Sequence, residues 1–227
     1  MEISEALKTT GSIRDYTDEQ VSDEVLFDII DTARFAPSGG NRQAWKVIVV
    51  KDPGQRQKVR DLYLDAWHDY ISHILAGLIP FSPLASDEDR RAALAQRSAA
   101  EAISKPDGYP ETLQNVPVMM VICADLEVLA ALDRDLDRYK IVGGASLYPF
   151  VWNLLLAGRA HDLGGVMTTV GIKNEKQLME VLQIPSSFAV AAIVTMGHPV
   201  KHLTKLTRKR VEDFTTIDTF NGEVFTN

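Results

Sequence analysis

The densest cluster of specialised residues is Ala36-Pro37-Ser38-Gly39-Gly40-Asn41-Arg42-Gln43-Ala44-Trp45. Two adjacent glycines let a backbone take positive φ and approach another body closely. Ser38, Asn41 and Gln43 offer short polar arms from the same turn. The same residues also fit a plain helix C-cap, with Gly39 or Gly40 just past the helix end. A phosphate-bearing ligand needs N–H groups, hydroxyls and guanidinium groups converging on it. Ser12, Arg14 and the run Lys205-Leu206-Thr207-Arg208-Lys209-Arg210 supply those types, although a basic run is also what a solvated surface carries. Thr168 and Thr169 follow Gly164-Gly165 and fit either a polar contact or simple β propensity. Tyr63, Trp67, Tyr70 and His73 repeat at helical spacing, which serves a pocket wall or a core stripe equally.

Other chemistries lack their residues. There is no G-x-G-x-x-G, no G-x-x-x-x-G-K-[ST] and no G-x-S-x-G, so dinucleotide, P-loop and nucleophile-elbow sites are not supported. The five histidines show no H-E-x-x-H spacing, and no metal site is expected. Cys123 is the single cysteine, which excludes a disulfide framework, and its apolar surroundings suit an inert core thiol. A net charge of −7 argues against nucleic acid or a membrane surface as partner. No apolar run nears the ~18 residues of a membrane span, and Glu2 and Glu5 do not suit a signal peptide. A cytoplasmic, reducing compartment is expected.

These residues must be positioned by alternating helices and short strands. A short helix over 2–9 precedes the Ser12–Tyr16 segment. Ser22 caps a helix running to Arg34, with Val25, Leu26, Ile29, Ile30 and Ala33 on one face. Trp45–Val50 reads as a buried strand, and Asp52-Pro53 opens a long helix. Ser86 with Asp89 forms a capping box for a helix to about Ser104. Val118–Cys123 is a second strand, and 126–139 fits a broken helix. A helix over 145–159, a strand over 166–170, a helix capped by Asn174 and a strand over 188–196 follow. The pattern is α+β, and 227 residues with 45% hydrophobic content support one large core. We read one domain over 1–227, with a helical excursion at about 60–115.

Taken with Asn153–Ala157, Leu163-Gly164-Gly165 and Gly197-His198-Pro199, the ordered segments resemble the nitroreductase family. The resemblance runs from about residue 8 to 212 and is weakest over 60–115. It implies a homodimer with a central mixed, mainly antiparallel sheet flanked by helices. It also implies FMN at the subunit interface and NADH or NADPH as electron donor. By this match Ser12 contacts the flavin and Arg14 lies near its pyrimidine edge. Pro37, Ser38, Gly39 and Asn41 reach FMN from the partner chain. Gly165 and the following residues pass flavin N5, with Thr168, then Thr169, as the hydrogen-bonding hydroxyl. Arg208, with Lys209 beside it, binds the phosphate. Where the family has one or two arginines before Ser12, this chain has Thr10 and Gly11, so Arg208 and its neighbours must compensate. Nitroaromatics and quinones are the acceptors implied, and Trp67 and Tyr70 are the candidate substrate residues. Two alternatives accompany this reading: a non-catalytic protein that stores or senses FMN, and a relative specialised for reductive dehalogenation.

Overall fold

The computed structural model describes residues 2–226. Four strands form one sheet in the order β1-β2-β4-β3: β1 Trp45–Val49, β2 Val118–Asp125, β3 Gly164–Thr168 and β4 Phe188–Gly197. Every pairing between them is antiparallel. The parallel component is a single bridge between Ser12 and Gly165 on the outer edge of β3.

β2 is buried along almost its whole length, because helices cover both faces of the sheet. Alternation sends Val118, Met120 and Ile122 to one side, where they meet Ala192, Val194 and Met196 of β4. Leu26, Ile29 and Ala33 of α2 (Asp23–Ala33) and Phe150, Val151, Leu154 and Leu155 of α6 (Tyr148–Ala160) complete that core. Met119, Val121 and Cys123 face the other way, against Val59 and Tyr63 of α3 (Pro53–Leu75) and Leu178 of α7 (Glu175–Leu182). Burial pushes the Cys123 thiol up to about 11, so it stays protonated and inert at neutral pH.

Local signals set most boundaries. α1 covers Ile3–Thr9. Ser22 Oγ accepts the Val25 N–H, and Asp52 accepts the Gln55 N–H ahead of Pro53. Ser86 and Asp89 close a reciprocal capping box at α4 (Asp87–Ala95).

Four expectations are corrected. The helix from Ser86 does not run unbroken to 104: it stops at Gln96, and α5 spans Arg97–Ala102. Residues 126–139 contain no helix. The Asp133 carboxylate instead accepts the N–H groups of Ile141 and Val142 and the Arg138 guanidinium, holding the loop open. β3 lies two residues earlier than the expected 166–170: Gly164 and Gly165 pair with Gly197 and Met196, and the chain leaves the sheet after Thr168 for a 3-10 turn at Val170–Asn174. Asn174 stands before α7 but does not cap it; its amide donates to the Leu62 carbonyl and the Asp65 carboxylate.

The break at Gln96 aims Arg97 back at α3. Its guanidinium meets Asp65, Asp69 and Glu101, and Lys173 joins Asp69. This network fastens α4 and α5, which pack on α3. Burial opposes ionisation of Asp65, but the Asn174 amide and Arg97 prevail and hold its carboxyl below the usual range. Its contribution is therefore complete above about pH 4 and fades as pH falls through the lowered folded-state value. Arg97→Gln is expected to cost about 1–3 kcal/mol and to make the excursion the first region cut by limited proteolysis. An unchanged melting curve and cleavage pattern would show that packing alone holds it. Among the described residues, no helix is long and apolar enough to cross a membrane, and no cluster of metal-ligating side chains is found.

Candidate functional site

The Ser12–Arg14 segment lies along the free edge of β3. The Ile13 N–H donates to the Gly165 carbonyl at 2.9 Å. Gly165 has no room for a side chain: a Cβ there would stand 2.6 Å from the Thr195 carbonyl oxygen. Gly164 is closed in the same way by Ile13. The glycine pair thus lets the N-terminal segment and β4 press on β3 from both sides.

Beneath this segment lies a polar network that no sequence period announced. The Tyr16 and Tyr109 hydroxyls each lie 2.9 Å from Thr195 Oγ1, and Tyr16 also donates to the Ile13 carbonyl. The Arg14 guanidinium sits 5.9 Å over the Tyr109 ring. Tyr63 crosses Tyr109 edge-on and hydrogen-bonds Thr168 Oγ1 at 3.1 Å. Burial raises the hydroxyl pKa of Tyr16, Tyr63 and Tyr109, so all three remain protonated up to alkaline pH. They fix Arg14 and β3 without adding charge.

The two threonines diverge. Thr168 is buried and its hydroxyl is engaged by Tyr63. Thr169, one residue past the strand, is exposed and lines a cleft of about 620 Å³ with Tyr70, Phe81, Tyr139 and Tyr148. Trp67 and Tyr70 stack at 5.1 Å yet face different spaces. Tyr70 reaches that cleft, whereas Trp67 packs on the core and walls a separate cavity of about 210 Å³ with Ala100 and Pro110.

The C-terminal segment approaches through Gly11. Leu203 and Leu206 lie so close that a Cβ on Gly11 would meet them at 2.6 and 2.8 Å. The space of a side chain before Ser12 is therefore filled by the chain that carries Arg208 and Lys209. Both basic residues are exposed, and Arg208 donates to the Thr207 carbonyl. Neither Arg14 nor Arg208 has a carboxylate partner among the described residues. The Thr10 hydroxyl is buried without a hydrogen-bond partner among the described residues.

Pro37, Ser38, Gly39 and Asn41 sit elsewhere. Gly40, Asn41 and Gln43 all have positive φ. Ser38 Oγ accepts the Gln43 N–H, and the Gly39 N–H donates to Ser146 Oγ at 3.0 Å. The turn leads into β1, at the opposite edge of the sheet from β3. It is also at the opposite end: Trp45 aligns through Ala124 with Ala189, and Gly165 aligns with Met196. Three strand spacings and seven residues along β4 separate these corners by ~25 Å. One chain does not bring them together.

Comparison with known proteins agrees with this architecture. The sequence model described as "Nitroreductase family" matches residues 7–198. A putative NADH dehydrogenase/NAD(P)H nitroreductase of Methanothermobacter thermautotrophicus is 35% identical over 204 residues, covering 89% of this chain and 80% of that protein. Iodotyrosine deiodinase 1 of Mus musculus is 38% identical over 214 residues, 92% of this chain and 66% of its own length. The crystal structure of oxidized iodotyrosine deiodinase bound to FMN and 3-iodo-L-tyrosine superposes with a TM-score of 0.66 at 18% identity, covering 96% of this chain and all of that one. With the glycine-paired strand edge, the basic C-terminal segment and a family match over most of its length, this chain belongs to the nitroreductase family.

Proposed function

We propose that this protein is a homodimeric FMN-dependent oxidoreductase that uses NADH or NADPH to reduce an electron-poor acceptor such as a nitroaromatic or a quinone. The observation that carries the reading is the pairing of Ser12–Arg14 with Gly165, with the segment leading to Arg208 packed on Gly11 and no carboxylate on either guanidinium among the described residues. The donor set suits a planar phosphorylated cofactor. Arg208 and Lys209, both exposed, would hold the phosphate. Ser12 and the β3 edge would lie along the ring, with Arg14 at its electron-rich rim. Bound FMN would supply the redox chemistry, accepting hydride from the nicotinamide and passing electrons to the acceptor.

The chain's own residues orient and stabilise. Thr169 is the hydroxyl free to face the flavin, and Thr168 holds the strand in place through Tyr63. The turn at Pro37, Ser38, Gly39 and Asn41 would serve the partner's site, because the corner of β1 into which it leads lies ~25 Å from Gly165 of its own chain. Identity to a deiodinase supports a second reading, reductive dehalogenation by the same residues.

Purified protein is expected to keep about one FMN per chain after desalting and to run as a dimer of 25.2 kDa chains. Anaerobic NADH or NADPH should bleach the flavin bands, and a quinone should restore them. Retained flavin that no nicotinamide bleaches would favour storage or sensing. Turnover confined to halogenated phenols would favour dehalogenation. Colourless monomers that take up no added FMN would sink the proposal.

A further inference from the structure

Phe81 lines the aromatic cleft beside Thr169 and also a neighbouring cavity. That second space, of about 430 Å³, lies between α3 and α4 and is lined by Ser72, His73, Ala93 and Leu94 among others. The Phe81 ring lies 4.9 Å from the His73 ring, which lines the second space, and 6.5 Å from the Tyr70 ring, which lines the first. Phe81 and Lys173 line both spaces, so Phe81 is the aromatic wall that the two share.

The backbone holding this wall is unfavourable for phenylalanine. Ile79-Pro80-Phe81-Ser82 is a tight turn closed by the Ser82 N–H on the Ile79 carbonyl. Proline stands at its second position, and Phe81, at its third, has φ of +53°. That arrangement is a type II turn, whose third position favours glycine. A bulky side chain there carries strain that glycine would remove. Strain retained at the wall of a cleft, where a glycine would make a better turn, points to a use for the side chain.

We propose that Phe81 determines acceptor size by closing the cleft on the side of the α3–α4 cavity, so that its removal favours longer planar aromatic acceptors. Tyr70, Tyr139 and Tyr148 provide the other aromatic walls, and such faces favour stacked planar ligands. The inference rests on the proposed oxidoreductase reading for what the cleft receives. The wall itself can be tested without flavin chemistry.

The experiment is equilibrium dialysis of menadione, with two rings, and anthraquinone-2-sulfonate, with three, against the parent and Phe81→Gly proteins. Steady-state reduction of both quinones is measured alongside. Phe81→Gly is expected to melt no lower than the parent, because its turn is relieved. Its affinity and kcat/KM for the three-ring quinone, relative to the two-ring one, should rise about tenfold. Phe81→Leu, which keeps the strained φ, should shift the ratio less. An unchanged binding ratio in Phe81→Gly, or no menadione binding to the parent, would overturn the proposal. A shifted binding ratio without nicotinamide-driven turnover would uphold the role of Phe81 and refute the oxidoreductase reading instead.

Discussion

The Gly165→Ala protein is expected to melt about 6–12 °C below the parent and to lose most of its FMN on desalting. The added methyl would sit 2.6 Å from the Thr195 carbonyl oxygen and 3.0 Å from Leu155 Cδ2. Thr195 belongs to β4, which is hydrogen-bonded on both sides, so that oxygen cannot yield without moving the sheet. Overpacking of this kind costs about 1–3 kcal/mol, at the upper end where the obstacle is backbone. The cofactor would be lost for a local reason. The Gly165 carbonyl accepts the Ile13 N–H, so displacing β3 displaces Ser12 and Arg14. Gly158→Ala is the control: its nearest neighbours are Met196 Sδ and Cε, the far end of a flexible side chain. Calorimetry with flavin stoichiometry would decide, and a Gly165→Ala protein as stable and as yellow as the parent would refute the packing argument.

For Arg14→Leu the expected result is the reverse pairing: nearly unchanged stability with a large catalytic loss. Arg14 is exposed and lies over Tyr109, a contact worth about 0.5–1 kcal/mol at most in such a setting. Its proposed task is to stabilise negative charge that accumulates at the cofactor's rim on reduction. Removing a fixed electrostatic partner of this kind lowers rates about 10²–10³-fold when it acts at full strength. At an exposed position we expect the lower figure or somewhat less, about 10–100-fold. The two-electron potential should fall by about 30–60 mV, the same free energy read at equilibrium. Arg14→Lys should recover part of both effects. Stopped-flow bleaching by NADH and a dye-equilibrated potential measure them, and an unmoved potential would remove Arg14 from this role.

Several of the features behind these expectations could be read one residue at a time. Ser22, Asp52 and the Ser86–Asp89 pair fix helix starts because their side chains satisfy N–H groups within three residues. The apolar face of α2 and the buried length of β2 follow from spacing alone. The structure departs from these local signals where a group beyond the reach of a helical turn decides. Asn174 resembles a cap, but the Leu62 carbonyl and Asp65 offered its amide a tertiary alternative. The 126–139 segment resembles a helix, but Asp133 draws in the N–H groups of Ile141 and Val142.

The proposed site divides in the same way. Ser12, Arg14, Gly165, Arg208 and the glycine turn are candidates from residue type, order and family resemblance. Which of two adjacent threonines is free could not, since strand phase buries Thr168 against Tyr63 and the strand's end exposes Thr169. Tyr16 and Tyr109 carried no periodic signal, because their partner Thr195 lies 179 and 86 residues away. Nor does sequence order show that Leu203 and Leu206 pack on Gly11, where the family resemblance expects arginines. The sequence by itself determined the fold class, the family and the residue types that the chemistry needs, because caps, alternation and backbone freedom are local properties. Tertiary structure alone decided the start of β3, the split between the threonines and the separation of the glycine turn from Gly165. Those depend on which remote strand, carbonyl or side chain comes to fill each position.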